Sequence, residues 1–110
     1  AKIVNGTDAP VEPLAPIPSF YASVSRMTLK GEPAGGYEPE QKMTRAQALR
    51  SYTLDAAYGE FAEDVKGSIE VGKLADFTVF SKDIMTVPDM EILQAEVMMT
   101  IVDGKVVYKK

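Results

Sequence analysis

Acidic residues are the side chains of this 110-residue sequence that could do acid–base or metal chemistry, because the chain contains neither histidine nor cysteine. Without histidine, Ser-His-Asp and Cys-His catalysis and any histidine-based metal cage are excluded within the chain. Without cysteine, a disulfide framework, a thiolate zinc site and a cysteine nucleophile are excluded as well. The absence of histidine is the most restrictive single fact in the sequence.

Asp8 is the acidic residue with the most suggestive position. It lies in the run NGTDAP at residues 5–10, directly after a short apolar segment at residues 2–4 that we predict to be a strand. Asp before Ala-Pro is also a frequent loop former. From the residues alone, a turn role for Asp8 is favoured over a catalytic one.

Three other groups of residues could do chemistry, and each has a structural alternative. Glu60, Glu63 and Asp64 are spaced as a possible cation site, but a solvated helix end explains them better. Asp76, at a strand start, is expected to accept backbone N–H bonds rather than to catalyse. Methionines that could form a soft-metal site are expected to fill the core instead: Met85, Met90, Met98 and Met99.

Aromatic residues could form a binding site. Tyr37, Tyr52 and Tyr58 could line a substrate pocket, but packing in the core with a bonded hydroxyl is the more usual fate of tyrosine. A weaker hypothesis is an independent binding module with a pocket among Tyr37, Tyr52 and Phe61.

The elements that must position these residues follow from periodicity and caps. A helix from about Ser19 has Ile17, Tyr21, Val24 and Thr28 on one face, and a loop covers residues 30–40. Thr44 and Gln47 form a capping box for a second helix, and Thr53 is expected to cap a further turn that includes Phe61.

After Gly67 the pattern changes to that of strands. Gly72 supplies a positive φ in a turn at residues 70–73, and a strand follows at residues 75–79. A helical turn at residues 88–93 precedes a hairpin of residues 95–102 and 105–109, in which Asp103-Gly104 is a strong two-residue turn. The predicted order is a strand, helices, then three or four antiparallel strands.

Composition gives one small globular domain with a net charge of −4 and no concentrated basic face. We therefore expect no nucleic-acid partner and no membrane association. A cytoplasmic location is compatible with the absence of cysteine. The chain begins inside a strand-like stretch without an initiator Met, which we interpret as a fragment boundary.

Several motifs, in order along nearly the whole chain, resemble the amidohydrolase superfamily. They are KGSIEVGKLADFTVF at residues 66–80, MTIVDGKVVY at 99–108, MTRAQAL at 43–49, YTLDAAY at 52–58 and NGTDAPV at 5–11. The sequence is most similar to amidohydrolase family 3, in the subgroup that contains N-substituted formamide deformylase and proteins called exoenzyme regulatory proteins.

The resemblance implies a fold and a division of the chain. Residues 1–66 would be the last strand and helices of a TIM (β/α)8 barrel, and residues 67–110 would be the C-terminal part of a small antiparallel β-sandwich, the composite domain. As an isolated chain the fold class is α+β. The missing strands would leave open sheet edges and an apolar helix face, so we predict self-association or pairing with a chain that carries the upstream barrel.

The resemblance also implies a role for Asp8. It would touch a divalent metal centre, with zinc as the expected ion, take a proton from metal-bound water and deliver it to the departing nitrogen of an amide-like substrate. The family's histidines and bridging residue would all lie upstream of Ala1. A single carboxylate cannot hold a catalytic zinc, which needs about three protein ligands. The alternative is a non-catalytic structural or self-association fragment.

Overall fold

Four helices and three strands form the chain in the computed structural model, which describes residues 1–110. The helices are α1 (Ile17–Ser25), α2 (Arg45–Tyr52), α3 (Leu54–Gly59) and α4 (Asp89–Ile92), with a 3-10 turn at Pro39–Gln41; the strands are β1 (Phe77–Phe80), β2 (Val97–Val102) and β3 (Lys105–Lys109). The fold is therefore mixed helix and antiparallel sheet, as predicted for the isolated chain.

Helix α1 supplies most of the core. Pro18 lies in its first turn, where a missing N–H costs no intrahelical bond, and the helix ends where Arg26 turns left-handed at φ 56°. Tyr21 and Val24 are buried on the predicted face. Thr28 lies beyond the helix, but its carbonyl oxygen accepts a hydrogen bond from the Tyr21 hydroxyl at 3.0 Å.

Helix α2 begins with the predicted capping box. The Thr44 hydroxyl accepts from the backbone N–H of Gln47, and the Gln47 side chain accepts from the backbone N–H of Thr44. The cap predicted at Thr53 is wrong, because the Thr53 hydroxyl donates back to the Leu49 carbonyl of α2 at 2.8 Å. Phe61 lies past the end of α3 at φ 62°, not on a helix face.

The sheet is an antiparallel meander in the order β1-β2-β3. Phe77 pairs with Ile101 across β1 and β2, and Met99 pairs with Lys109 across β2 and β3. Asp103 and Gly104 have φ values of 49° and 75°, so both adopt the left-handed conformation that a two-residue hairpin turn requires. This confirms the predicted hairpin.

The hydrophobic core lies mainly among the helices, with Ile84 added from the turn after β1 and Phe80 of β1 packed against it. Its seven buried residues are Ile17, Phe20, Tyr21, Val24, Ala48, Ile84 and Ile92. Helix α1 contacts both α2 and α4. The core therefore combines residues from both sides of the predicted boundary at residue 67, and the division into 1–66 and 67–110 stays a prediction.

Much of the apolar surface is uncovered. The accessible surface is 7480 Å² for 12.0 kDa, against about 6000 Å² expected for a compact monomer of that mass. Every residue of β3 is exposed. Only 11 of 110 residues are buried, so the chain has apolar area to cover that its own folding leaves open.

The strand predicted at residues 2–4 is absent: these residues have no regular secondary structure and are exposed. A strand is stabilised by ladder bonds to a neighbour, and no strand of this chain lies beside them. No helix is long and apolar enough to cross a membrane.

Candidate functional site around Asp8

Asp8 opens a tight turn. Its carbonyl oxygen accepts a hydrogen bond from the backbone N–H of Val11 at 2.9 Å. Its own φ is 50°, in the left-handed region that Asp and Asn tolerate better than other residues with a Cβ. The chain therefore reverses direction at Asp8, and the side chain is exposed.

The Asp8 carboxylate takes part in none of the ion pairs of the chain. Other acidic residues are committed to the fold: Asp55 pairs with Arg50 at 3.0 Å, and Asp89 pairs with Arg45 at 2.8 Å. Asp76 accepts a bond from a backbone N–H, as predicted. The carboxylate of Asp8 is thus free to bind a group from outside the chain.

The segment before Asp8 is held against α2 and α3 at three points. The Lys2 ammonium lies 3.5 Å from the centroid of the Tyr58 ring. Val4 packs on Gly59, where an added Cβ would lie 3.0 Å from Val4 Cγ2. Asn5 bonds to Ser51 on α2 through both its backbone and its side chain. The helices therefore position the approach to Asp8.

No group of three or more acidic residues lies close enough to hold a metal ion. Glu60, at the end of α3, forms an ion pair with Lys66. Asp64 is exposed, Glu63 is half-buried, and neither has an ion-pair partner. The cation site considered for Glu60, Glu63 and Asp64 is therefore not formed, and the alternative of a solvated helix end describes these residues better.

The aromatic residues do not converge on one pocket. Tyr52 packs against the core, whereas Tyr37 is 62% exposed and Phe61 is 94% exposed. Tyr58 lies under Lys2. The hypothesis of a binding pocket among Tyr37, Tyr52 and Phe61 is wrong, because turns at Glu38 and Phe61 leave two of the three rings in solvent.

The methionines divide between core and surface. Met85 packs against the core as predicted. Met90 and Met98 are exposed by 44% and 37%, so the prediction that all four fill the core is only partly right. Met90 still has a polar neighbour, because its sulfur lies 3.2 Å from the Tyr21 hydroxyl oxygen.

An open cleft of about 1070 Å³ separates the helices from the sheet. Apolar side chains from both sides line it, among them Leu49, Leu54, Ile69, Phe77, Phe80 and Ile101. No sequence motif predicts this cleft. One feature of β1 does point to it. Phe77 and Phe80 are both apolar, although strict alternation would place them on opposite faces of the strand, so both faces carry a large apolar side chain.

One carboxyl group of the chain has a shifted pKa. The pKa of Glu70 lies below its ordinary value of 4.5, first because the Ser68 hydroxyl donates to it and then because Lys73 bonds to it and supplies positive charge. The Lys73 ammonium lies 3.0 Å from Glu70 Oε2 and 2.7 Å from Ser68 Oγ. This trio stabilises a turn, and nothing connects it to Asp8.

Comparison with known proteins places the chain in a family. The profile of the amidohydrolase family matches residues 1–108. N-substituted formamide deformylase of Arthrobacter pascens is 32% identical over 109 residues, which are 99% of this chain and 20% of that protein. YtcJ of Bacillus subtilis (strain 168), which also carries the name amidohydrolase, is 30% identical over 106 residues, 96% of this chain and 20% of its own length.

A solved structure gives the same result. An amidohydrolase from Thermotoga maritima MSB8 superposes with a TM-score of 0.61 at 25% identity, over 94% of this chain and 22% of its own. The chain thus spans about a fifth of the length of the proteins it matches. The match over residues 1–108 nevertheless includes every helix and nearly all of the sheet described above, and on that basis this chain belongs to the amidohydrolase family.

Proposed function

We propose that this chain is the C-terminal segment of a metal-dependent amidohydrolase, and that it contributes Asp8 to the active site. The whole enzyme would hydrolyse C–N bonds other than peptide bonds in small amide- or formamide-like molecules. The observation that carries the proposal is the position of Asp8: a free, exposed carboxylate at the end of a segment fixed to two helices, within a chain of the amidohydrolase family.

The role proposed for Asp8 is that of a proton shuttle. Its carboxylate oxygen would accept a proton from the attacking water and then donate that proton to the departing nitrogen. A general base must lie within hydrogen-bond reach of the proton it takes. An exposed carboxylate on a tight turn can meet this condition, whereas one bonded within the fold, such as Asp76, cannot without breaking its bond.

A divalent metal, with zinc as the first candidate, is part of this proposal. The residues of this chain would supply only part of such a centre, because the chain has no histidine and no group of three acidic residues close enough to hold a metal ion. A catalytic zinc needs about three protein ligands, so the remainder would come from other parts of the whole protein. When bound, the ion would supply Lewis acidity and a more acidic water.

The barrel is also a proposal. Residues 2–4 would pair as the last strand of a (β/α)8 barrel, which would place Asp8 at the carboxyl end of that strand, where active sites of such barrels lie. The open cleft and the exposed strand β3 would be covered by the rest of the polypeptide or, failing that, by a second copy of the chain.

A non-catalytic role is the second candidate. The specific observation in its favour is the uncovered surface, about 1500 Å² more than a compact monomer of this mass exposes. That excess is comparable to the total area of a standard protein–protein interface. On this alternative, the 110 residues would act as a structural or self-association module without activity of their own.

The test compares two carboxylate variants in the whole protein. Asp8→Asn is made beside Asp103→Asn, a control that removes an equally exposed carboxylate from the hairpin turn, and both are loaded with zinc. Hydrolysis of an N-alkylformamide is measured together with the unfolding temperature. We expect Asp8→Asn to lose activity to background without a change in unfolding temperature, and Asp103→Asn to keep it. Full activity in Asp8→Asn would exclude the shuttle role.

The isolated chain by itself tests the second candidate. Its mass in solution is measured by light scattering and its composition by intact mass spectrometry. A stable dimer with no amide hydrolysis would support the association module. A strict monomer would contradict it.

A further inference from the structure

Asn5 and Ser51 form a two-bond connection between the segment before Asp8 and helix α2. The backbone N–H of Asn5 donates to the Ser51 carbonyl oxygen at 3.1 Å. The Asn5 side-chain amide donates to Ser51 Oγ at 3.0 Å. Two bonds from one residue to one residue fix both the position and the orientation of Asn5 on the helix.

The direction of the side-chain bond is set by the Ser51 hydroxyl. Ser51 is 1% exposed, and its hydroxyl donates to the Ala48 carbonyl oxygen at 2.7 Å. A hydroxyl has one proton to donate. Because Ala48 takes that proton, Ser51 Oγ faces Asn5 as an acceptor, and only a donor such as an amide satisfies it. Asn at position 5 is thus matched to Ser at position 51.

Only Gly6 and Thr7 lie between this fixed point and Asp8. A Cβ added to Gly6 would meet nothing nearer than Asp8 Oδ1 at 3.9 Å, so no packing restrains Gly6. On the far side, the bond from the Val11 N–H to the Asp8 carbonyl closes the turn. The direction of the Asp8 carboxylate therefore depends on how firmly Asn5 is held.

We propose that Asn5 and Ser51 are positioning residues that set the orientation of Asp8 from helix α2. This rests on the proposed function, in which Asp8 moves the proton. A misplacement of a catalytic group by about 1 Å can lower the rate a hundredfold. The bonds between Asn5 and Ser51 would therefore affect the turnover rate rather than substrate binding. Neither residue touches the substrate.

The test is a double-mutant cycle in the whole, zinc-loaded protein, with an N-alkylformamide as the probe substrate. The variants are Asn5→Ala, Ser51→Ala and the two combined. If the pair acts as one unit, each single variant lowers kcat by about 10- to 100-fold with KM unchanged. The double variant is then no worse than either single one, since contacting residues are not additive.

Ser23→Ala is the matched control. Ser23 donates to the Ser19 carbonyl oxygen of α1 at 3.0 Å, as Ser51 does to Ala48, but its side chain has no hydrogen bond to residues 1–11. We expect it to lower the unfolding temperature as Ser51→Ala does and to leave kcat unchanged. If Ser51→Ala fails to fold, Asn5→Ala, which keeps the bond from Ser51 to Ala48, decides the question.

Three outcomes would overturn the proposal. The first is that kcat falls no further in Ser51→Ala and Asn5→Ala than in Ser23→Ala. The second is that the loss of kcat in the double variant equals the combined losses of the two single variants. If Asp8→Asn is inactive, either of these results would exclude the positioning role of Asn5 and Ser51 and leave the proposed function of Asp8 in place. Full activity in Asp8→Asn would exclude both the positioning role and the proposed function of Asp8.

Discussion

Asp76 Oδ1 accepts a hydrogen bond from the backbone N–H of Asp103 at 2.8 Å. Beside it, the N–H of Gly104 donates to the Ala75 carbonyl oxygen at 2.9 Å. The entrance to β1 is therefore tied to the turn that joins β2 to β3. A three-stranded meander without a helix packed on its face depends on such bonds to hold its hairpin in register.

Asp76→Ala is expected to destabilise the chain by about 1 to 2 kcal/mol, because a bond to a charged acceptor is lost. Asp76→Asn is the matched control, since it keeps an oxygen acceptor in the same place and removes only the charge. Equilibrium unfolding in urea measures both. If Asp76→Ala unfolds at the same midpoint as the wild type, the bond contributes nothing to stability.

Alanine substitutions at the neighbouring residues Gly35 and Gly36 distinguish the cost of backbone strain from the cost of steric overlap. Both have positive φ, 79° and 88°. A Cβ at Gly35 would meet nothing within 4 Å, whereas one at Gly36 would lie 2.3 Å from the Ser25 carbonyl oxygen at the end of α1. Only the second position has no room for a side chain.

Gly35→Ala should therefore cost about 1 to 2 kcal/mol, the cost of a left-handed residue with a Cβ. Gly36→Ala should cost about 3 kcal/mol or more, because the loop must also move away from α1. Urea unfolding of the two variants gives the comparison. Equal costs at both positions would show that the loop does not pack on the helix end as described.

The capping box predicts a difference between two changes at one residue. Thr44→Ala removes the acceptor for the Gln47 N–H and should cost about 1 kcal/mol, while Thr44→Ser keeps a hydroxyl and should cost little. Thermal unfolding distinguishes them. A loss in Thr44→Ser as large as in Thr44→Ala would assign the effect to the Thr methyl group instead of the cap.

Glu70 predicts a pH dependence of known sign. Its pKa is lowered in the folded chain by the Ser68 hydroxyl and by Lys73, so folding favours the ionised form. The stabilisation is present above the ordinary pKa of 4.5 and is lost as pH falls through the lower folded value. An NMR titration of the Glu70 carboxyl should have its midpoint below 4.5.

Ser68→Ala should raise that midpoint towards the ordinary value, since the hydroxyl is the largest single cause of the shift, and Lys73→Met should raise it as well, since it removes both a hydrogen bond and a positive charge. A midpoint that does not respond to Ser68→Ala would contradict the assigned cause. The substitution Glu70→Gln provides the reference, because it should remove the stability change between neutral and acidic pH that belongs to this group.

Local features of the fold were predictable, and contacts between distant residues were not. The capping box at Thr44, the turn at Gly72 and the hairpin at Asp103-Gly104 each depend on residues that are near neighbours in the chain. Thr53 was mispredicted because its hydroxyl had two local partners, and the structure uses the Leu49 carbonyl. The strand predicted at residues 2–4 is absent because no strand of this chain lies beside it to form ladder bonds.

The candidate site shows the same division. The sequence singled out Asp8 and, through the absence of histidine and cysteine, excluded a histidine-based or thiolate-based metal site within the chain. It could not show that Asn5 bonds to Ser51, 46 residues away. Nor could it show that an open apolar cleft lies between the helices and the sheet.

The sequence by itself therefore determined the types and order of most elements and the family motifs, and it made Asp8 the candidate for chemistry. The tertiary structure decided which side chains meet, and with that how Asp8 is held and which apolar surfaces remain uncovered. The physical reason is the separation along the chain of the residues that interact. Caps and turns are set by hydrogen bonds between near neighbours. Packing depends on the summed burial of residues far apart in the chain, and no single segment specifies it.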